Sequence, residues 1–214
     1  MPPDLIHRSQ PRGPGRWEGL GWRGRSIVGA VGLRPPLSDI TAGETELMLR
    51  HAAGAERIVE IGVFEGAAAA GLGALLPPTG ELVLIDPYPA GRFLGVNMSR
   101  VVARRVVRKT VEAKVRWLRM ESGEAAKGWT DPIDFLRIDG IHTLEGVQRD
   151  WNDFSPSVVP GGHAMVRDDV ISAARGAEDE LAAGDEIVPW IQSTSPGWEL
   201  VDRLDTTAIL RRSA

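Results

Sequence analysis

The stretch from Ile133 to Asp169 constrains this chain more than any other. It opens on an apolar run, IDFLRIDGIH, which delivers Asp139 at its end. A segment able to wind a helix follows, TLEGVQRDWNDF, with Thr143 placed to cap it. It closes on a second apolar run, launched by Pro160-Gly161-Gly162 and ending in Asp168-Asp169. Two buried parallel strands joined by a crossover helix have this length and pattern. In an open α/β sheet, ligands bind at the carboxyl ends of the strands. The unit therefore brings Asp139, Asp168, Asp169 and the imidazole of His142 to one rim. Three carboxylates gathered there repel one another, and a hard divalent cation with oxygen ligands relieves that repulsion. This rim is the expected catalytic centre.

The remaining chain repeats the alternation of strand and helix. Thr41-Ala-Gly-Glu44 is a capping box that opens a helix, which Gly54 stops. RIVEI (57–61) and ELVLI (81–85) read as buried strands on either side of a small-residue helix, 67–76. A helix over 99–111, a strand over 114–120 and a short helix from Glu121 follow. Beyond the central unit, 175–183 reads as an acidic helix. The runs 198–203 and 206–211 read as closing strands with Asp205 in the turn. These two are too close for a helical crossover, so one must run antiparallel. The expected fold is a doubly wound, Rossmann-like α/β sheet, mostly parallel with one antiparallel strand near the C-terminus.

Residues 1–40 are set apart as an N-terminal arm or lid, with one domain over 41–214. Within it, Met1 to about Gly24 is rich in Pro, Gly and Arg, has no periodicity, and carries Trp17 and Trp22, which need a cover, and Ser26 to Leu37 reads as a short apolar turn or helix that Pro35-Pro36 breaks. The formal charge of -4 gives no nucleic-acid footprint. The cluster Arg100, Arg104, Arg105, Arg108 and Lys109 reads as a solvated helix face. With no cysteine, disulfides, thiol catalysis and cysteine-based zinc sites are excluded. No apolar run is long enough to cross a bilayer and no signal-peptide pattern opens the chain, so no membrane partner and a cytoplasmic location are expected.

Two further features mark a ligand site. Glu60-Ile-Gly62-Val-Phe64-Glu65-Gly66 lies between a strand and a helix, where glycines let backbone approach a ligand closely. It is not G-x-G-x-x-G, so dinucleotide binding is disfavoured. Asp86 ends the next strand about twenty residues after Gly66, where an acidic side chain takes ribose hydroxyls. Each feature alone has an ordinary structural explanation, as a tight turn or a cap; together they point to a nucleoside.

E-x-G-x-x-x-G at Glu60 to Gly66, followed by Asp86, resembles the class I S-adenosylmethionine-dependent methyltransferases. The resemblance runs from about Thr41 to the C-terminus. It implies cofactor contacts at Glu60, Gly62, Phe64, Glu65, Gly66, Asp86 and Tyr88, with Ser122 at the adenine. The stretch D-G-I-H-T-L-E-G-V-Q-R-D…P-G-G-H-A-M-V-R-D-D is similar to the metal-dependent O-methyltransferases of sugar hydroxyls, those of macrolide sugars and mycobacterial methylmannose polysaccharides. That likeness implies Mg²⁺ or Mn²⁺ on Asp139, Asp168 and Asp169, with His142 as the base. Catechol methyltransferases typically follow their acidic ligand with Asn, and Asp169 stands there instead.

The expectation is a metal-dependent O-methyltransferase acting on a sugar or glycoside, working as a homodimer. The alternatives are a methyltransferase of phenolic or catechol acceptors and a non-catalytic nucleoside-binding module.

Overall fold

Thr41 and Glu44 start a helix as the capping box requires. The Glu44 amide donates to Thr41 Oγ1 at 3.2 Å and the Thr41 amide to Glu44 Oε2 at 2.8 Å. The other oxygen of the buried Glu44 accepts from the hydroxyls of Thr206 and Thr207, at 3.0 and 2.8 Å. Helix α1 (Ala42–Ala52) is thereby tied to the last hairpin. The structure is a computed structural model that describes residues 28–38, 40–91, 95–167 and 186–214.

Strands β1 (Arg57–Ile61), β2 (Glu81–Ile85), β3 (Lys114–Leu118), β4 (Ile133–Ile138), β5 (Val158–Arg167), β6 (Trp198–Leu204) and β7 (Thr207–Arg212) form one sheet in the order β3-β2-β1-β4-β5-β7-β6. The first five are parallel. Strand β7 runs antiparallel to both β5 and β6, so it is the one reversed strand, as the closely spaced closing strands predict. The hairpin turns through Asp205, at φ 50°.

Helices cover both faces. Alternate strand residues enter two cores: Ile58, Leu82, Leu84 and Phe135 pack with α1, α2 (Ala67–Gly73) and α3 (Met98–Thr110), and Val59, Val83, Ile85 and Leu136 pack on the other side. Burial on both faces explains why these strands read as unbroken apolar runs. The second core is closed by α5 (Leu144–Phe154), whose Val147, Trp151 and Phe154 recur at helical spacing and are buried, and by α6 (Ile187–Thr194). Burying each such large side chain contributes about 1.5–3 kcal/mol. Thr143 caps α5, accepting from the Gly146 amide at 3.1 Å.

Three expectations need correction. The 67–76 helix ends at Gly73, because Leu75 and Leu76 hydrogen-bond three residues back instead of four. The short helix expected from Glu121 is α4, Ser122–Ala125. Helix α6 was not anticipated: its Pro189 falls in the first turn, where a missing amide costs little. The acidic helix expected over 175–183, the arm through residue 27, and Asp168 and Asp169 lie outside the described residues. Among the described residues no helix is long and apolar enough to cross a membrane.

Candidate functional site

The ends of three strands lie level at one rim. The Gly62 amide donates to Ile85 O and the Asp139 amide to Ile61 O, both at 2.9 Å. Gly62 has φ 82°, and a Cβ there would sit 1.9 Å from the Asp139 carbonyl oxygen. Only glycine lets β1 turn away this close to β4. Gly66 also has positive φ, and its added Cβ would meet Ala103 Cα at 3.0 Å, so α2 packs tightly on α3.

Asp86 holds this turn in shape. The amides of Val63 and Phe64 donate to its Oδ2 at 3.0 and 3.1 Å, and the Tyr88 amide donates to Oδ1 at 2.8 Å. Phe64 is left-handed, φ 51°, a conformation that costs a side-chain-bearing residue about 1–3 kcal/mol. The Tyr88 hydroxyl answers with a hydrogen bond to Phe64 O at 3.0 Å. Burial, then the nearby charges of Asp86 and Glu60, push the Tyr88 phenol up, so it stays protonated and donating.

Glu65 faces another way. Its carboxylate takes both terminal nitrogens of Arg34 at 2.6 Å each and the Leu37 amide at 2.8 Å. It fastens the segment before α1 onto the turn.

Among the described residues two clefts open at the rim. The larger, 400 Å³, is lined by Glu60, Gly62, Phe64, Asp86, Asp139 and His142, among others. The smaller, 180 Å³, lies across Gly62 and Asp86 and adds Ile61, Ile85, Ile141 and Ser122. Six of the sequence-derived candidates thus share one cleft, Ser122 lines the other, and Glu65, Gly66 and Tyr88 shape the turn without lining either.

Sequence reasoning missed three residues here. Arg137 on β4 stands in register with the fully buried Glu60 on β1. Its Nη1 donates to Glu60 Oε1 at 2.9 Å and to Gly62 O at 3.3 Å, and its Nη2 donates to Asp139 Oδ2. Arg167 approaches from the end of β5, with Nε 3.8 Å from Asp139 Oδ1. His142 Nε2 lies 3.7 Å from that same oxygen, with its side chain 42% exposed at the mouth. The third is Asp150 on α5, a lining residue of the smaller cleft, which accepts from Ser122 Oγ at 2.5 Å. Burial raises the Asp150 carboxyl above its usual range, against the pull of the Ser122 bond. A charged residue inside an apolar strand was the legible signal for Arg137.

These residues fit a nucleoside sulfonium cofactor. Carboxylates at Glu60 and Asp86 suit hydroxyl and ammonium donors, and the isoleucines of the smaller cleft suit a flat base. Gly140 keeps that cleft open: a Cβ there would come within 3.3 Å of both Ile61 Cγ2 and Asp150 Oδ2. Of the three residues expected to hold a divalent cation only Asp139 is among the described residues, and it does not suit one in the same way. Its carboxylate is already bonded to one guanidinium and approached by a second. Like unit charges 4 Å apart repel by roughly 4 kcal/mol at an effective dielectric near 20, and a doubly charged ion doubles that.

A family model described as a methyltransferase domain matches residues 59–170. Structures of similar fold include cofactor-bound Rv0187 from MTB, at 16% identity over 89% of this chain and 88% of that one, with a TM-score of 0.65. The O-methyltransferase TomG from Streptomyces achromogenes, involved in tomaymycin synthesis and in complex with SAM, is 17% identical over 89% and 88%, with a TM-score of 0.62. An O-methyltransferase from Bacillus cereus in complex with SAH is 15% identical over 89% of each chain, with a TM-score of 0.60.

Proposed function

From the premise that this chain belongs to the methyltransferase-domain family, we propose that it is an S-adenosylmethionine-dependent O-methyltransferase whose acceptor is a hydroxyl of a sugar or glycoside. The observation that carries this reading is the placing of His142 beside Asp139 at the mouth of the larger cleft. A base at the open edge, backed by a carboxylate, is what removal of a hydroxyl proton needs.

S-adenosylmethionine, when bound, supplies a methyl carbon already electrophilic on its sulfonium. Asp86 would take ribose hydroxyls with lone pairs left over from the turn amides, Ser122 and the apolar walls of the smaller cleft would take the base, and Glu60 would serve the amino-acid end. His142 uses Nδ1, the nitrogen not facing Asp139, to accept the acceptor's proton. Asp139 stabilises the imidazolium that results. Transfer would join the acceptor oxygen to that methyl carbon as the carbon–sulfur bond breaks, with sulfur keeping the electron pair. Fixing the acceptor in line with that bond supplies much of the rate. These steps use the chain's own residues, and none is routed through the divalent cation that the resemblance implies.

The test is transfer of a labelled methyl group from S-adenosylmethionine to a panel of sugars, glycosides and catechols, beside calorimetry with S-adenosylhomocysteine. Transfer to a sugar hydroxyl is expected. Cofactor binding with no transfer to any hydroxyl would turn the reading to a nucleoside-binding module, and transfer to catechols alone would overturn the acceptor class.

A further inference from the structure

We infer that guanidinium groups take the place of a divalent cation at Asp139, so that this chain positions its base with Arg137 and performs methyl transfer without a metal ion. The inference rests on the methyltransferase reading above and names the device that organises its site.

Arg137 is buried, as are both of its carboxylate partners. It stands on a central strand, in register with Glu60, and cannot swing out to solvent without leaving two buried negative charges behind. It therefore stays with Asp139 whether or not a cation is supplied. Arg167, on the neighbouring strand, adds a second positive charge 3.8 Å from the oxygen that faces His142. Asp139 Oδ2 thus accepts from Arg137, and the Arg167 guanidinium approaches Oδ1. A metal ion would neutralise that carboxylate and set its direction, and the two arginines do the same. Arg137 is a positioning residue: it touches Glu60, Asp139 and the Gly62 carbonyl, and through them it aligns the turn, the carboxylate and the imidazole.

The experiment is titration of Mn²⁺ into the full chain by calorimetry, with Asp139→Asn and Arg137→Met beside the wild type, and methyl transfer assayed in chelator. Wild type and Asp139→Asn should take up Mn²⁺ alike, and transfer by the wild type should be unchanged, within about twofold, after chelation. Arg137→Met should gain a Mn²⁺ site, with at least a tenfold rise in affinity, that Arg137→Met/Asp139→Asn loses. A wild-type Mn²⁺ site abolished by Asp139→Asn would overturn the inference. So would activity lost in chelator and restored by Mg²⁺, or a folded Arg137→Met that binds no more Mn²⁺ than wild type. If Arg137→Met does not fold, the wild-type and Asp139→Asn titrations decide alone. Calorimetry with S-adenosylhomocysteine on the same samples separates the two failures: no cofactor binding sinks the methyltransferase reading, and the Mn²⁺ titrations still report on Asp139.

Discussion

Arg34 grips Glu65 with two parallel hydrogen bonds of 2.6 Å, and both side chains are more than nine-tenths buried. The pair joins a segment outside the βαβ core to the turn that shapes the larger cleft. Its geometry is the planar two-point match that guanidinium makes with carboxylate.

Arg34→Met should leave Glu65 charged and buried without its counter-ion, at a cost of about 3–5 kcal/mol. For a chain of this length that lowers the melting temperature by on the order of 10 °C. Adding Glu65→Leu should recover most of the loss, since removing both charges spares the desolvation cost. Thermal melts of the single and double variants check this. A double variant no more stable than the single one would show that the contact acts through packing instead.

Asp86→Ala should weaken S-adenosylhomocysteine binding by about tenfold or more, the loss expected when buried polar partners are left unpaired. It should also loosen the turn, because the amides of Val63, Phe64 and Tyr88 lose their acceptor together. Asp86→Asn keeps one acceptor oxygen and should fall between. Calorimetry ranks the three, and equal affinities would remove Asp86 from the cofactor site.

Gly62→Ala meets two obstacles at once, a positive φ and the Asp139 carbonyl oxygen in the path of the new Cβ. Strain and overpacking together should cost about 2–6 kcal/mol. Denaturant melts should show it, whereas Gly54→Ala, also at positive φ but with open space around the Cβ, should cost less.

The difference between these two glycines shows what was legible in the sequence. Local devices could be read directly: the capping box needs only Thr41 and Glu44, the α5 cap only Thr143, and the reversed strand follows from the short link at Asp205. The rim positions of Gly62, Asp86 and Asp139 were legible because strand ends and turns declare themselves. What joins distant segments was not. Nothing near Glu65 in sequence announces Arg34, and Arg137 reads as one charge in an apolar strand until the β1–β4 register sets it against Glu60. Helix α6 was hidden by its proline, which argues for a break unless the helix start is known.

A pH dependence of stability should arise far from the cleft. The His163 ring lies 5.2 Å from that of His51, tilted by 56° to it, and His51 Nε2 lies 3.0 Å from Asp202 Oδ2. Burial first, then the charges of His51 and Arg211, hold the His163 imidazole below its ordinary value of 6.5. The unfolded chain therefore binds this proton at higher pH than the folded one. The stability from neutral His163 is complete above about 6.5 and is lost as pH falls below it toward the depressed folded value. His163→Phe keeps a ring in the strand and removes the titration. Its melting temperature should drop less than that of the wild type between about pH 7 and 5, and parallel drops in the two proteins would clear His163 of the effect.

His142 tests the proposed chemistry most directly. His142→Gln keeps a polar side chain of similar reach at the mouth of the cleft but cannot hold the acceptor's proton as a cation. It should lower kcat by roughly 10²–10⁴-fold, the span of a general base. S-adenosylhomocysteine affinity should stay the same, because in this reading the imidazole touches the acceptor and not the cofactor. Stability should hardly change either, since the side chain is 42% exposed. The decisive comparison is with Asp139→Asn. If Asp139 stabilises the imidazolium, that variant should lose much of the same rate, and His142→Gln/Asp139→Asn should lose little beyond His142→Gln alone, because residues acting as one unit are not additive. Steady-state kinetics of the three variants, with calorimetry as the control, gives the answer. Losses that multiply independently would separate Asp139 from the base, and an unchanged kcat in His142→Gln would put the base elsewhere.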